Sequence, residues 1–160
     1  SSPGANGVLF LPFINGERAP FSCPQATGAF LGLRNSTGPA DLARACVEGI
    51  AYSARHCLAA MRSTPPRQAL LSGGASKNAV FCQIFADALG IPLGLAPAYP
   101  GAAGAAALLK KGLGLPWRSS QKAKVAFLPS QADRHVYAAG FRDYLRSIAA
   151  LFPGGIGKSP

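Results

Sequence analysis

The stretch "LLSGGASKNAVFCQIFADALG", residues 70–90, decides how the rest of the chain is read. An apolar run is broken by Gly73 and Gly74, a small polar cluster follows, and an apolar pattern with helical spacing begins. Residues 68–72 read as a strand. Val80, Phe81, Ile84, Phe85, Ala88 and Leu89 form the apolar face of an amphipathic helix, stopped by Gly90 with Pro92 beyond it. The two glycines therefore stand where a strand ends and a helix begins. Glycine permits positive φ and lets a ligand touch the main chain. Ser76 is placed to cap the helix, whose first N–H groups would favour a phosphate or another anion. Asn78 offers both a donor and an acceptor, as a nucleobase edge or a ribose requires. On this stretch alone, a plain strand-to-helix turn and a ligand-binding loop both stay open.

Working outward, residues 8–13 and 29–33 read as two strands that pair like a hairpin across a long, turn-rich connection. A long helix follows. Gly38 or Thr37 caps it, Pro39 suits its first turn and Asp41 its positive end. Leu42, Cys46, Ile50, Ser53, Cys57 and Met61 recur at helical spacing, Arg44 and Glu48 lie four apart, and Pro65-Pro66 closes the segment. Beyond residue 90 a short strand is expected at 93–95 and a small-sided helix at 101–111. A loop at 112–132 holds a strand candidate at 125–128, and a last amphipathic helix runs over 133–152 with Val136, Phe141, Leu145, Ile148 and Leu151 inward. Strands alternating with helices mean α/β layering, in which ligands bind beyond the carboxyl ends of the strands.

Composition sets the bounds. With 160 residues, 49% hydrophobic and 14% charged, the chain is too apolar for disorder. Sixteen Lys+Arg against six Asp+Glu leave a net charge of +10. The basic residues are scattered, and the one dense patch, Lys110, Lys111, Arg118, Lys122 and Lys124, has no zinc spacing or RNP-like aromatics beside it. A solvated face, or one turned to a phosphate ligand, fits better than a nucleic-acid stripe. Cys23, Cys46, Cys57 and Cys82 form no C-x-x-C pair and suit reduced, mostly buried thiols in a cytoplasmic protein. No run reaches 18 apolar residues, so no transmembrane helix is expected, and the start shows no leader pattern. The chain does not begin with Met and reads as processed or excised from something longer.

Three other features carry no chemistry. "GGIGKSP" at the end is a spoiled P-loop: Phe152 stands where its first glycine belongs, and Pro160 where the helix should start. His56 and His135 lack metal-ligand spacing, and His56 reads as a packing residue within the long helix. Ser72 has no base beside it.

Four segments in order resemble the carboxyl-terminal domain of the FGGY carbohydrate kinases over most of the chain, residues 7–151. They are "GVLFLPFINGERAP", with the family's G-E-R-[TA]-P, and "GAFLGLRNSTGPADLARACVEGIAYS", with Gly28, Phe30, Gly32, Leu33, Asp41, Leu42, Ala45 and Glu48 at the family's positions. Then come "LLSGGASKN", similar to the G-G-x-x-x-N adenosine loop, and "GAAGAAALL", similar to the A-x-G-A-A helix. The resemblance implies an actin-like ATPase (ribonuclease H-like) fold: a mixed sheet with flanking helices, incomplete here. Residues 1–160 would form part of the carboxyl-terminal domain, with its start and the whole amino-terminal domain missing.

The resemblance also implies ATP with Mg²⁺ as cofactors, bound by Gly73, Gly74, Ala75, Asn78 and Gly101, and a small sugar or polyol as substrate. Residues 101–106 would pack where the nucleotide lies. Gly16, Glu17 and Arg18 would buttress the strand pair near the cleft, although Arg18 has the alternative of an ion pair with Glu17 or Glu48. "GERAPF" and "GAAGAA" sit closest to xylulose and erythritol kinases, with gluconate and glycerol kinases as alternatives. A homodimer stays open. Two departures matter. The family's base, an Asp in a Gly-x-x-Asp motif, is expected upstream of this chain, so the residues in hand contain no catalytic residue and should not phosphorylate a sugar by themselves. Many relatives also carry an acid just before the small-residue helix, where Tyr99 stands here. The rival is a non-catalytic actin-like domain that binds a nucleotide or a partner protein.

Overall fold

The computed structural model describes residues 1–160 except 62, 63, 65, 97, 98, 117–124 and 154–160. Arg118, Lys122 and Lys124 of the basic patch, Pro65, and the glycine-rich end therefore lie outside the described residues. The elements are β1 (Leu9–Leu11), β2 (Ala29–Leu31), α1 (Pro39–Met61), β3 (Ala69–Leu71), α2 (Ala79–Leu89), β4 (Leu93–Leu95), α3 (Pro100–Gly112), β5 (Val125–Phe127) and α4 (Arg134–Leu151). Two short 3₁₀ turns, Ala5–Gly7 and Gly74–Lys77, were not foreseen.

The strands form two small sheets. β1 and β2 pair antiparallel, Leu9 opposite Leu31, across the long connection that the sequence led one to expect. Pro12 follows β1 and cannot donate to the ladder, so pairing stops short of Phe13. The second sheet is mixed, in the order β3-β4-β5: β3 runs parallel to β4, and β5 runs antiparallel to it.

α1 links the two sheets, and its buried face differs from the expected one. Asp41, Ala45, Glu48, Gly49, Ala51 and Tyr52 are buried, whereas Ile50 is 42% and Met61 77% exposed. The helical period was right and its phase was not, because the inner face carries small and acidic residues. Gly49 lets α1 lie against β1, since a Cβ there would collide with the Phe10 carbonyl oxygen. Both acids are satisfied. Asp41 Oδ2 accepts from the Gly38 N–H at 3.0 Å, so Gly38 holds the N-cap position, while Thr37 Oγ1 accepts from the Arg34 N–H in the preceding turn. Hydrogen bonds from Ser1 and Gly38 hold the Asp41 carboxyl below its ordinary range.

Glu48 Oε1 accepts from Arg44 Nε at 2.8 Å and from the Gly4 N–H at 3.0 Å. Burial pushes the Glu48 carboxyl up, and those two donors oppose the rise. The same guanidinium donates to Tyr137 Oη on α4 at 2.8 Å, tying α1 to α4.

The main core lies where α1, α2 and α4 meet the strands, with Leu11, Phe13, Tyr52, Ile84, Leu93 and Tyr144 inside it. α2 buries nearly its whole girth, Cys82, Ala86 and Asp87 included, while Val80 is exposed. On α4 the fully buried side chains are Tyr137, Tyr144 and Ile148, and Leu151, expected inside, is half exposed. His56 packs in this core between Phe21 and Tyr144, each ring 6.1 Å away. The four cysteines are free, but only Cys82 is buried and the other three are half-buried. α3 buries no residue, and Leu108, Leu109 and Leu113 on or just beyond it are each more than 60% exposed. On β3, Leu70 is 56% exposed. None of the helices described is long and apolar enough to cross a membrane.

Candidate functional site

Because β3 and β4 are parallel, their carboxyl ends emerge side by side, with the Ala96 N–H donating to the Leu71 carbonyl at 2.9 Å. A cavity of about 440 Å³ opens there. One wall is the segment after β3, with Ser72, Gly73, Gly74, Ser76 and Lys77; the other is Ala96, Tyr99 and Pro100, leading into α3. This is the crevice beyond the strand ends where α/β sheets bind ligands.

The glycine turn is braced from within. Gly73 has φ 86° and ψ −168°, a region open in practice to glycine alone. Its carbonyl accepts from the Ser76 N–H at 3.2 Å and from Ser76 Oγ at 2.7 Å. Ser76 thus closes the 3₁₀ turn and does not cap α2. The cap is Asn78, whose Oδ1 accepts from the Phe81 N–H at 3.1 Å. The inserted turn moves the start of the helix past Ser76, and asparagine is as good a cap as serine. A Cβ on Gly73 or Gly74 would meet nothing within 4 Å, so this main chain faces open space. Among the described residues the cavity lining contains Lys77 and no carboxylate, and Pro100 brings the amino-terminal end of a 13-residue helix to its edge. Both features make the site positive, which suits an anionic ligand.

Of the residues singled out from sequence, Gly73 and Gly74 line this cavity together. Ala75 lies within the turn, and its carbonyl accepts from the Asn78 N–H at 3.1 Å. Asn78 is exposed at the cap, and Gly101 is exposed in the first turn of α3, next to Pro100. Gly16, Glu17 and Arg18 belong to the β1–β2 connection and not to the cavity lining. Glu17 and Cys23 exchange main-chain hydrogen bonds of 3.0 and 2.8 Å, and Glu17 Oε1 accepts from the Arg18 and Ala19 N–H groups. Arg18 is exposed and forms no ion pair with Glu17 or with Glu48. Sequence reasoning missed Ser72 and Lys77 as wall residues, and it treated Tyr99 only as a departure from a pattern. A lysine beside a glycine pair is a weak signal. The placement of Tyr99 depends on a left-handed backbone that a residue before proline rarely adopts.

A mixed sheet flanked by helices, with a cavity at the ends of a parallel strand pair, belongs here to the actin-like ATPase fold. Residues 1–110 match the model of the FGGY family of carbohydrate kinases, C-terminal domain. The chain belongs to that family. It is 38% identical over 88 residues to the xylulose kinase of Escherichia coli, covering 54% of this chain and 18% of that one. It is 35% identical over 152 residues to the glycerol kinase of Thermus brockianus, covering 86% and 30% respectively. In structure it is similar to the xylulose kinase of Lactobacillus acidophilus, with a TM-score of 0.86 at 25% identity, over 96% of this chain and 33% of that one. The chain thus spans a third or less of the length of these relatives.

Proposed function

We propose that the chain is the nucleotide-side portion of a kinase that transfers the γ-phosphate of ATP to a hydroxyl of a small ketose or polyol of the xylulose type. The supporting observation is the open glycine-walled cavity at the ends of β3 and β4, positive at its rim. In this reading adenosine lies against the Gly73-Gly74 main chain, with Ala75, Asn78 and Gly101 around it and Lys77 toward the phosphates. Gly16, Glu17 and Arg18 stiffen the β1–β2 connection. Phosphoryl transfer rests on positioning and on charge neutralisation. In this reading the cavity is the place for the nucleotide, and among the described residues its lining holds no carboxylate or imidazole to take a proton from a sugar hydroxyl.

The residues in hand do not fit a Mg²⁺ site. Among the described residues the lining of the cavity holds no carboxylate. Mg²⁺ is usually held by one or two carboxylates together with substrate phosphates, and those carboxylates belong, like the base and most sugar contacts, to an amino-terminal kinase domain outside these residues. That domain is the partner we infer, in a cytoplasmic enzyme.

The test is ADP release by the full-length protein containing this chain, assayed over a panel of pentuloses, polyols, glycerol and gluconate. Turnover dependent on one small sugar or polyol is expected, and none from residues 1–160 alone. A full-length protein that binds ATP but turns over nothing on the panel would leave the non-catalytic reading standing. Robust turnover by residues 1–160 would overturn the division of labour described above.

A further inference from the structure

Tyr99 has an unusual backbone for the cap position it holds, where its carbonyl accepts from the Ala103 N–H at 3.1 Å. It sits at the N-cap of α3 with φ 57° and ψ 52°, and its side chain makes no capping hydrogen bond. A left-handed conformation is unfavourable for a bulky residue and is most often kept where function requires it. Burial does not compensate for it: the residue is 82% exposed. Yet Tyr99 lines the same cavity as Gly73 and Gly74, whose own wall carries no side chain at that point. One wall thus presents main chain at Gly73-Gly74, flanked by Ser72, Ser76 and Lys77, and the other includes Tyr99.

We propose that Tyr99 is the base-stacking residue of this cavity, its ring covering one face of a purine whose other face lies on the Gly73-Gly74 main chain. The proposal rests on the reading of the cavity as a nucleotide site. Every base has a π-face, so a stacking platform holds bases without discriminating strongly among them. It follows that this site tolerates guanine as well as adenine, because the grip on the base is aromatic.

The experiment uses the full-length protein and three variants: Tyr99→Phe, Tyr99→Asn and Gly74→Val. Asparagine tolerates the left-handed backbone better than most residues, so Tyr99→Asn removes the ring without straining the start of α3. Equilibrium binding is measured for ATP, GTP and inorganic triphosphate, together with the fluorescence of bound 2-aminopurine riboside triphosphate, which stacking quenches. Tyr99→Phe should bind like wild type. Tyr99→Asn should weaken ATP and GTP alike, by about 5- to 150-fold. It should leave inorganic triphosphate unchanged and relieve the quenching. If Tyr99→Asn binds ATP normally while Gly74→Val does not, Tyr99 is an ordinary surface residue; the stacking proposal falls and the nucleotide reading survives. Equal losses for ATP and inorganic triphosphate would also overturn stacking, since the damage would then be at the phosphate end. If wild type binds no nucleotide, both readings fall together.

Discussion

Gly73 and Gly74 are neighbours with different duties. Gly73 needs glycine because of its backbone, whereas Gly74 has no positive φ and no neighbour that a methyl would strike. Gly73→Ala should therefore cost about 1–3 kcal/mol and lower the thermal midpoint. Gly74→Ala should stay within about 0.5 kcal/mol of wild type. Differential scanning fluorimetry of the two variants separates them, and equal midpoints would contradict the turn geometry. Asn78 needs more care, because its Oδ1 already caps α2. Asn78→Ala confounds two roles: it should cost about 0.5–2 kcal/mol as a lost cap whether or not a ligand is involved. Asn78→Ser keeps the capping oxygen and discards the amide donor. If the amide reaches a nucleotide, Asn78→Ser should hold the midpoint while ATP affinity in the full-length protein falls by about two- to tenfold. An unchanged affinity would reduce Asn78 to its cap.

Among the elements, α1 carries the most unusual packing, since its inward face includes a glutamate that is 2% exposed. Arg44→Met would leave that carboxylate buried without its guanidinium, and the Tyr137 hydroxyl without its donor. Breaking such a pair from one side costs about 3–5 kcal/mol. Exchanging Glu48 for Met as well should recover much of the loss, because a buried pair is often replaceable by apolar residues of similar size. Chemical denaturation of the single and double variants tests this, and an Arg44→Met protein as stable as wild type would refute it. The sequence made the order of strands and helices legible, because each segment carried its own signal: period, cap, stop or proline. It also identified the Arg44–Glu48 spacing and the glycine pair. The buried face of α1 was not legible, because Asp41, Ala45, Glu48 and Gly49 count as polar or small and their burial depends on partners distant in sequence. The same holds at the site. Gly73 could be anticipated from its residue type, whereas the wall formed by Ala96, Tyr99 and Pro100 exists only because β4 lies parallel to β3.

At the scale of the whole molecule, a half-buried imidazole beside the core resists protonation. Burial between Phe21 and Tyr144 lowers the His56 pKa from its ordinary 6.5, against a smaller opposing pull from Glu17. The unfolded chain then binds the proton more readily than the folded one, so this contribution to stability is intact above pH 6.5 and falls as the pH drops from there to the lowered folded value. The thermal midpoint should decline across that window, and His56→Gln should flatten the decline. An equal slope in both proteins would assign the effect elsewhere. The bare surface of α3 has a consequence of another kind. A 13-residue helix that buries nothing is held mainly by its own hydrogen bonds, and isolated helices of that length are marginal in water. α2 and α1, by contrast, are gripped on several sides by the core. In deuterated buffer, amides of α3 should exchange almost as fast as those of a free peptide, while those of α2 open only when the whole core does. Whatever settles on the small-residue face, whether the proposed nucleotide at its amino-terminal end or the proposed amino-terminal domain along its length, should appear as a slowing of those amides before any other part of the chain responds.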